Sequence, residues 1–162
     1  MTALKWINEH LEKWFLILSL IVMVLVTTMQ VVLREFGSAT VWAEELCRYI
    51  MLYQVWVGAS YAIHEDAHIR ITALTNILKE KNKLKLELVV LTVWLIFALW
   101  LMIEGCVLVN KVAIMGQLSP AMQIPMEVPY ASVPLGGLLM AIRLVQKIIV
   151  TLKKLSAEEE AA

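Results

Sequence analysis

Little in this chain is available for chemistry. It holds two cysteines and three histidines, and its 14 Lys and Arg balance its 14 Asp and Glu to a formal net charge of zero. No basic surplus exists to bind phosphates, which argues against nucleic acid as a partner. There is no glycine-rich phosphate loop and no internal repeat. A secondary carrier that works alone shows repeat symmetry and interrupted helices around a midplane site, and neither is legible here. The central third of the apolar stretches is almost free of ionisable side chains, which argues against a self-sufficient transporter, pump or proton channel. Cys47 and Cys106 read either as a disulfide or, more simply, as two small apolar residues within a helical bundle.

What the chain has in quantity is apolar length. Hydrophobic residues make up 60% of it and the mean hydropathy is +0.76. Four stretches, Trp14–Leu33, Leu46–Ile63, Leu86–Val109 and Val128–Leu152, approach or exceed the roughly 20 residues that a helix needs to cross ~30 Å of hydrocarbon. A soluble chain of 162 residues could not hide that much apolar surface. The fold expected is an all-α integral membrane protein with four transmembrane helices in a single domain over 1–155. A short acidic tail, 156–162, is expected to be disordered.

Basic residues crowd every second connection. Lys5 and Lys13 precede the first stretch, Arg70, Lys79, Lys81, Lys83 and Lys85 separate the second and third, and Lys153 and Lys154 follow the fourth. Positive charge collects on the cytoplasmic side, so both termini and the middle connection are expected inside. The connections at 34–41 and 110–123 are then outside. The first apolar run is too long for a cleavable signal, and no small-residue cleavage site follows it. Leu4, Ile7 and Leu11 form an amphipathic lead-in anchored by Trp6 and Trp14. Residues 69–84 place Ile71, Leu74, Ile77 and Leu78 on one side and predict a helix lying in the headgroup layer. His68, Arg70, Lys79, Lys83, Arg143 and Lys147 are the further candidates for contact with lipid headgroups.

At the start of the second helix, Glu44 and Glu45 suit an N-terminus. Arg48 follows them by four and three residues, close enough to pair with either. Pro125 and Pro129 suit a helix start, whereas Pro134 lies further in and predicts a kink. Gly136 and Gly137 allow close approach to a neighbour, and Gly58, Ala59 and Ala62 suggest a second tight helix contact. His64-Glu65-Asp66-Ala67-His68 matches H-E-x-x-H, but a catalytic zinc wants a third protein ligand and the only other histidine is His10. The simpler reading is a pair of interfacial histidines. Bis-histidine haem ligation wants histidines on facing membrane helices, which this chain lacks.

Val32-Leu33-Arg34, Trp42-Ala43-Glu44-Glu45-Leu46-x-Arg48-Tyr49, Trp56-Val57-Gly58-Ala59 and His68-Ile69-Arg70-Ile71 follow one another in that order, with a proline-rich segment from Pro125 to Pro134 around Tyr130. In this order, over about residues 14–150, the chain resembles the small membrane subunit of TRAP (tripartite ATP-independent periplasmic) transporters. Thr72 departs from the pattern, where an acidic residue would be expected. The resemblance implies a bacterial inner-membrane protein that is not an enzyme and carries no cofactor. It implies two partners, a large permease subunit and a periplasmic substrate-binding protein. The large subunit would hold the sodium and substrate sites, and move an organic acid such as a C4-dicarboxylate or a sialic acid by an elevator motion. The small subunit would be its stationary scaffold. Arg34, Trp42, Glu44, Glu45, Arg48, Tyr49, Gly58, Ala59 and Tyr130 are the candidates for contact with a partner. An anchor or assembly subunit of another complex, such as a redox enzyme, is the alternative.

Overall fold

A computed structural model of the chain describes residues 3–38, 40–65 and 80–160. Four long helices carry the four apolar stretches: α1 (Ala3–Glu35), α2 (Val41–His64), α3 (Glu80–Met115) and α5 (Ser132–Glu160), with a single turn, α4 (Glu127–Tyr130), leading into the last. They do not form a square bundle. α1 packs on α2, α2 on α5, and α5 on α3, giving a layer in the order α1, α2, α5, α3. Both connections, 36–40 and 116–131, lie at one end, here called the loop end. The start of α1 and the end of α5 lie at the other.

Composition explains the order. α1, α3 and the segment Glu127–Ser156 are long and apolar enough to cross a membrane. α2 does not reach that level, because Arg48, Tyr49, Tyr53, Gln54 and Ser60 interrupt it. Polar groups are costly against lipid unless protein satisfies them, and α2 has protein on two sides. Gln54 Nε2 donates to Ser19 Oγ of α1 at 2.9 Å, and Tyr53 donates its hydroxyl to the Val128 carbonyl at 2.6 Å. Thr27, Thr28 and Thr92 turn their hydroxyls back to carbonyls of their own helices four residues earlier. The large apolar side chains of α1 and α3 are exposed along most of their length, as lipid-facing surface should be.

The closest packing lies on α5. A Cβ at Gly137 would fall 2.9 Å from the Ala98 carbonyl oxygen and 2.9 Å from the Met102 amide nitrogen. One at Gly105 would fall 2.8 Å from Pro134 Cδ, and one at Gly136 would collide with the Trp56 side chain. Lipid gives no hydrophobic drive for helices to associate, so close van der Waals approach at small residues does that work. The core beneath these contacts joins Ile63 of α2, Leu91 and Ala98 of α3, and Met140, Ala141 and Leu144 of α5.

Several expectations change. The lead-in and first span are one continuous helix. Of the expected headgroup-layer helix, residues 80–84 belong to the start of α3, and the rest lies outside the described residues. Pro134 does not kink a helix interior. The chain breaks at Ala131, between α4 and α5, and Pro134 falls in the first turn of α5, where a missing N–H costs little. Within the chain Gly58 makes no tight contact, since a Cβ there would meet only Leu16 Cδ2, at 3.8 Å. α5 runs on to Glu160, through most of the acidic segment 156–162. Cys47 and Cys106 are both free thiols, as the simpler of the two readings expected.

Candidate functional site

The loop end is organised by one carboxylate. Glu45 is buried in the first turns of α2, one residue above the apolar stretch Leu46–Ile63. The 116–131 connection folds over it. Gly116, at φ +59°, turns the chain out of α3, a left-handed geometry that glycine adopts without steric cost. Leu118 and Pro125 then pair as an antiparallel bridge, and Ser119 closes the tip. Its amide donates to the Ile124 carbonyl at 2.9 Å, and its hydroxyl accepts from the Ile124 amide at 3.2 Å. This leaves the amides of Ala121 and Met122 pointing at α2, where they donate to Glu45 Oε2 at 2.8 and 3.0 Å. The Tyr49 hydroxyl donates to Oε1.

Burial by itself would raise the Glu45 pKa. Hydrogen bonds from Tyr49, Ser119 and the two amides outweigh it and hold the carboxyl at about 2. Glu45 is therefore a fixed negative charge that ties a loop some 76 residues away in sequence to the start of α2. Hydrogen bonds to an ionised acceptor are about twice as strong as neutral ones.

Beside this tie lies a cavity of about 870 Å³, with Trp42, Glu44, Arg48, Tyr49, Ala121 and Tyr130 among its lining residues. Six of the residues singled out in the sequence as partner contacts thus meet at one place: Trp42, Glu44, Glu45, Arg48, Tyr49 and Tyr130. Three do not. Arg34 ends α1, exposed and away from the cavity, while Gly58 and Ala59 pack inside the layer. The expected pairing of Arg48 with Glu44 or Glu45 is not formed. Glu45 is turned to the loop amides, and Glu44 accepts from Gln30 Nε2 of α1 at 3.0 Å. Among the described residues, no carboxylate lies within ion-pair distance of the exposed Arg48.

The opposite end holds a site that the sequence reading missed. Arg143, expected at the lipid headgroups, is buried. Its Nε donates to Glu12 Oε1 at 3.1 Å, with the two side chains 7% and 5% exposed. The Ser60 hydroxyl donates to the same oxygen at 2.9 Å, and Arg143 Nη1 donates to Gln146 Oε1 at 3.1 Å. Glu12 Oε2 is buried without a hydrogen-bond partner. α1, α2 and α5 are thus pinned together by one ionic cluster. An arginine within an apolar stretch needs a counter-charge, and Glu12, the acidic residue flanking the first stretch, was the available signal. Lys147 also turns inward and donates to the Ile63 carbonyl at 3.3 Å. Trp14 is exposed, as an interfacial anchor should be, and Lys83 is half-buried. His68, Arg70 and Lys79 lie outside the described residues, as does the side chain of Trp6. His64 stacks on Tyr61, and among the described residues no cluster of three or more His, Cys, Asp or Glu is placed to hold a metal.

Comparison with known proteins agrees with this architecture. Over 150 residues the chain is 27% identical to an isethionate TRAP transporter permease protein, DctMQ, of Oleidesulfovibrio alaskensis, covering 88% of this chain and 24% of that protein. It is 28% identical over 110 residues to the C4-dicarboxylate TRAP transporter small permease protein DctQ of Rhodobacter capsulatus, covering 68% and 48%. It is 28% identical to a putative TRAP transporter small permease protein of Haemophilus influenzae, over 91% of this chain and 90% of that one. The chain thus spans less than half the length of the first two of these relatives. The family described as the DctQ component of tripartite ATP-independent periplasmic transporters matches residues 23–154, and the chain belongs to that family.

Proposed function

We propose that this small permease subunit is the stationary membrane scaffold of a sodium-coupled importer of organic acids. It works with a large permease subunit, which holds the substrate and sodium sites, and with a periplasmic substrate-binding protein. One observation carries the reading: the buried ionic and carboxylate groups sit toward the two ends of the layer, where they tie helices and a loop together, and the central third of the spans between is almost free of ionisable side chains. A scaffold needs rigidity and lipid-facing area, and a transport pathway needs polar groups at depth. Relatives named for isethionate, C4-dicarboxylate and sialic acid fit a subunit that does not itself read the substrate. The DctMQ relative, about four times the length matched here, fits a segment that works beside a much larger membrane partner.

In this reading the lysine-rich termini and middle connection are cytoplasmic, and the loop end faces the periplasm. The cavity beside Glu45 then presents Arg48, Trp42 and Tyr130 to a partner, a combination enriched where interfaces concentrate their binding energy. The test is an affinity pull-down from mild-detergent membranes with mass spectrometry, repeated with Arg48→Glu, followed by uptake assays with the binding protein. Recovery of a large polytopic permease in equal amount, with uptake reduced at least tenfold by Arg48→Glu, is the expected result. Recovery of the chain alone, or with a redox enzyme, refutes the scaffold reading. Wild-type assembly and uptake in Arg48→Glu refute the role of the cavity.

A further inference from the structure

The layer has two outer edges, α1 and α3, and they are not alike. Between Lys13 and Arg34 the α1 edge carries no charged side chain, whereas the α3 edge carries Glu104. The side of α3 turned toward the rest of the chain is marked by its buried residues, Leu91, Ala98, Gly105 and Val112, spaced seven apart. Val93, Phe97, Trp100, Glu104, Val107 and Lys111 follow one another at alternating spacings of four and three residues, which makes them a second stripe, on the opposite side of the helix. All six are exposed. Phe97 braces the aromatic part, with ring centroids 6.1 Å from Trp100 and 5.9 Å from Trp94. Glu104 lies five residues short of the loop-end limit of the apolar stretch Leu86–Val109, about 7.5 Å inside it at ~1.5 Å per residue. Side chains lean toward the N-terminus of their helix. For α3 that direction is away from the loop end, so the carboxylate is directed deeper and not toward the nearer headgroups. Among the described residues it makes no hydrogen bond or ion pair, and Lys111, two turns nearer the loop end, is not within ion-pair distance. A carboxylate presented to hydrocarbon is costly and calls for a counter-charge, which this chain does not supply.

We infer that the α3 edge docks, within the membrane, on a helix of the large permease subunit, with Glu104 paired to a lysine or arginine of that helix and with Phe97, Trp100 and Val107 packed on its apolar side chains. Alternating spacings of four and three residues are the pattern by which two helices interlock. A basic side chain within a membrane span is itself rare without a counter-charge, so each group answers the other. A second copy of this chain does not fit the same stripe. Two copies inserted alike are parallel, and a two-fold helix pair would set Glu104 against Glu104, a like-charge contact. The α1 edge, aliphatic and uncharged, suits lipid instead. The identity of the partner rests on the function proposed above; the charge that the partner must bring does not.

The experiment uses the full chain co-expressed with the large permease subunit, and places a photo-crosslinking benzoylphenylalanine at Val107 of α3 or at Val31 of α1. Both side chains are exposed, and each lies two residues from the loop-end limit of its apolar stretch. After irradiation of intact membranes, Val107 should capture the permease and Val31 should not. Mass spectrometry of the adduct then names the facing helix and its basic residue. Glu104→Leu should lower recovery of the permease about tenfold, the effect of leaving a charge unpaired in a span. It should leave the melting temperature of the isolated chain unchanged, because Glu104 supports nothing within the chain. Glu104→Lys together with an acidic substitution of the facing basic residue should restore recovery. Capture at Val31 alone, an adduct between two copies at Val107, a facing helix without a basic residue, or wild-type recovery of the permease by Glu104→Leu would each overturn this inference and leave the scaffold reading standing. Absence of the permease from the wild-type pull-down would instead refute the scaffold reading, and the named partner with it.

Discussion

Removing either partner of the Glu12–Arg143 pair should destabilise the layer far more than removing both. Exposed ion pairs contribute only ~0–1 kcal/mol, but these side chains are 5% and 7% exposed. A buried charge that loses its partner costs about 3–5 kcal/mol. The two single variants should differ. In Glu12→Leu, Arg143 keeps the Gln146 oxygen at 3.1 Å, so the loss belongs near the lower figure. In Arg143→Met, Glu12 keeps, among the described residues, only the Ser60 hydroxyl, and Oε2 already lacks a partner, so the loss belongs near the upper figure. Replacing a buried pair with apolar residues of similar volume is often neutral or stabilising, so Glu12→Leu with Arg143→Met should be more stable than either single variant. Unfolding in mixed micelles titrated with a denaturing detergent, followed by tryptophan fluorescence, would read all four proteins. Two results refute the reasoning. If each single variant costs under ~1 kcal/mol, both side chains reach water as ordinary surface charges do. If the double variant loses the sum of the singles, the two residues do not act on each other.

Two further outcomes follow from the packing and the loop. Gly137→Ala sets a methyl against the backbone of α3 and should cost about 1–3 kcal/mol, while Gly58→Ala, which meets only Leu16 at 3.8 Å, should be near neutral in the same unfolding assay. Equal costs would refute the assignment of the tight contact to α5. Glu45→Ala removes the acceptor of the Ala121 and Met122 amides. Hydrogen bonds to a charged group are stronger than neutral ones, so exchange of those two amides with deuterium should speed up about ten- to a hundredfold, and unchanged protection would refute the tie.

The sequence made some of this legible and hid the rest for physical reasons. Charges at the start of a membrane helix must lie at an end of the span, so Trp42 through Tyr49 could be placed together, while Tyr130 joined them as a candidate only through the family resemblance. Which way each carboxylate turns was hidden. Spacings of three and four residues bring Arg48 to the same face as Glu44 and Glu45, but the donors that win Glu45 are backbone amides of the distant 116–131 connection, and any residue type would supply them. Arg143 was misplaced because a basic residue near the end of a span reads as a snorkelling one until a buried acid on another helix is found for it. The order of helices across the layer was hidden too. Hydropathy measures length and depth, not neighbours, and the polar side chains of α2 were its only trace.

The position of α5 between α2 and α3 sets a condition on biogenesis. Helices enter the bilayer in the order in which they are synthesised. α1 and α2 have their partner at once, but most of the packing of α3 is with α5. A ribosome that has finished Met115 has therefore made a hairpin and a further span, joined by the connection between His64 and Glu80 but without the helix that packs between them. The residues that join them, Gly136, Gly137 and Arg143, all belong to the last segment to emerge. Assembly of this layer is thus a late, single closing event, and a nascent chain halted before α5 presents quality-control proteases with a hairpin and a span that lack the helix packed between them.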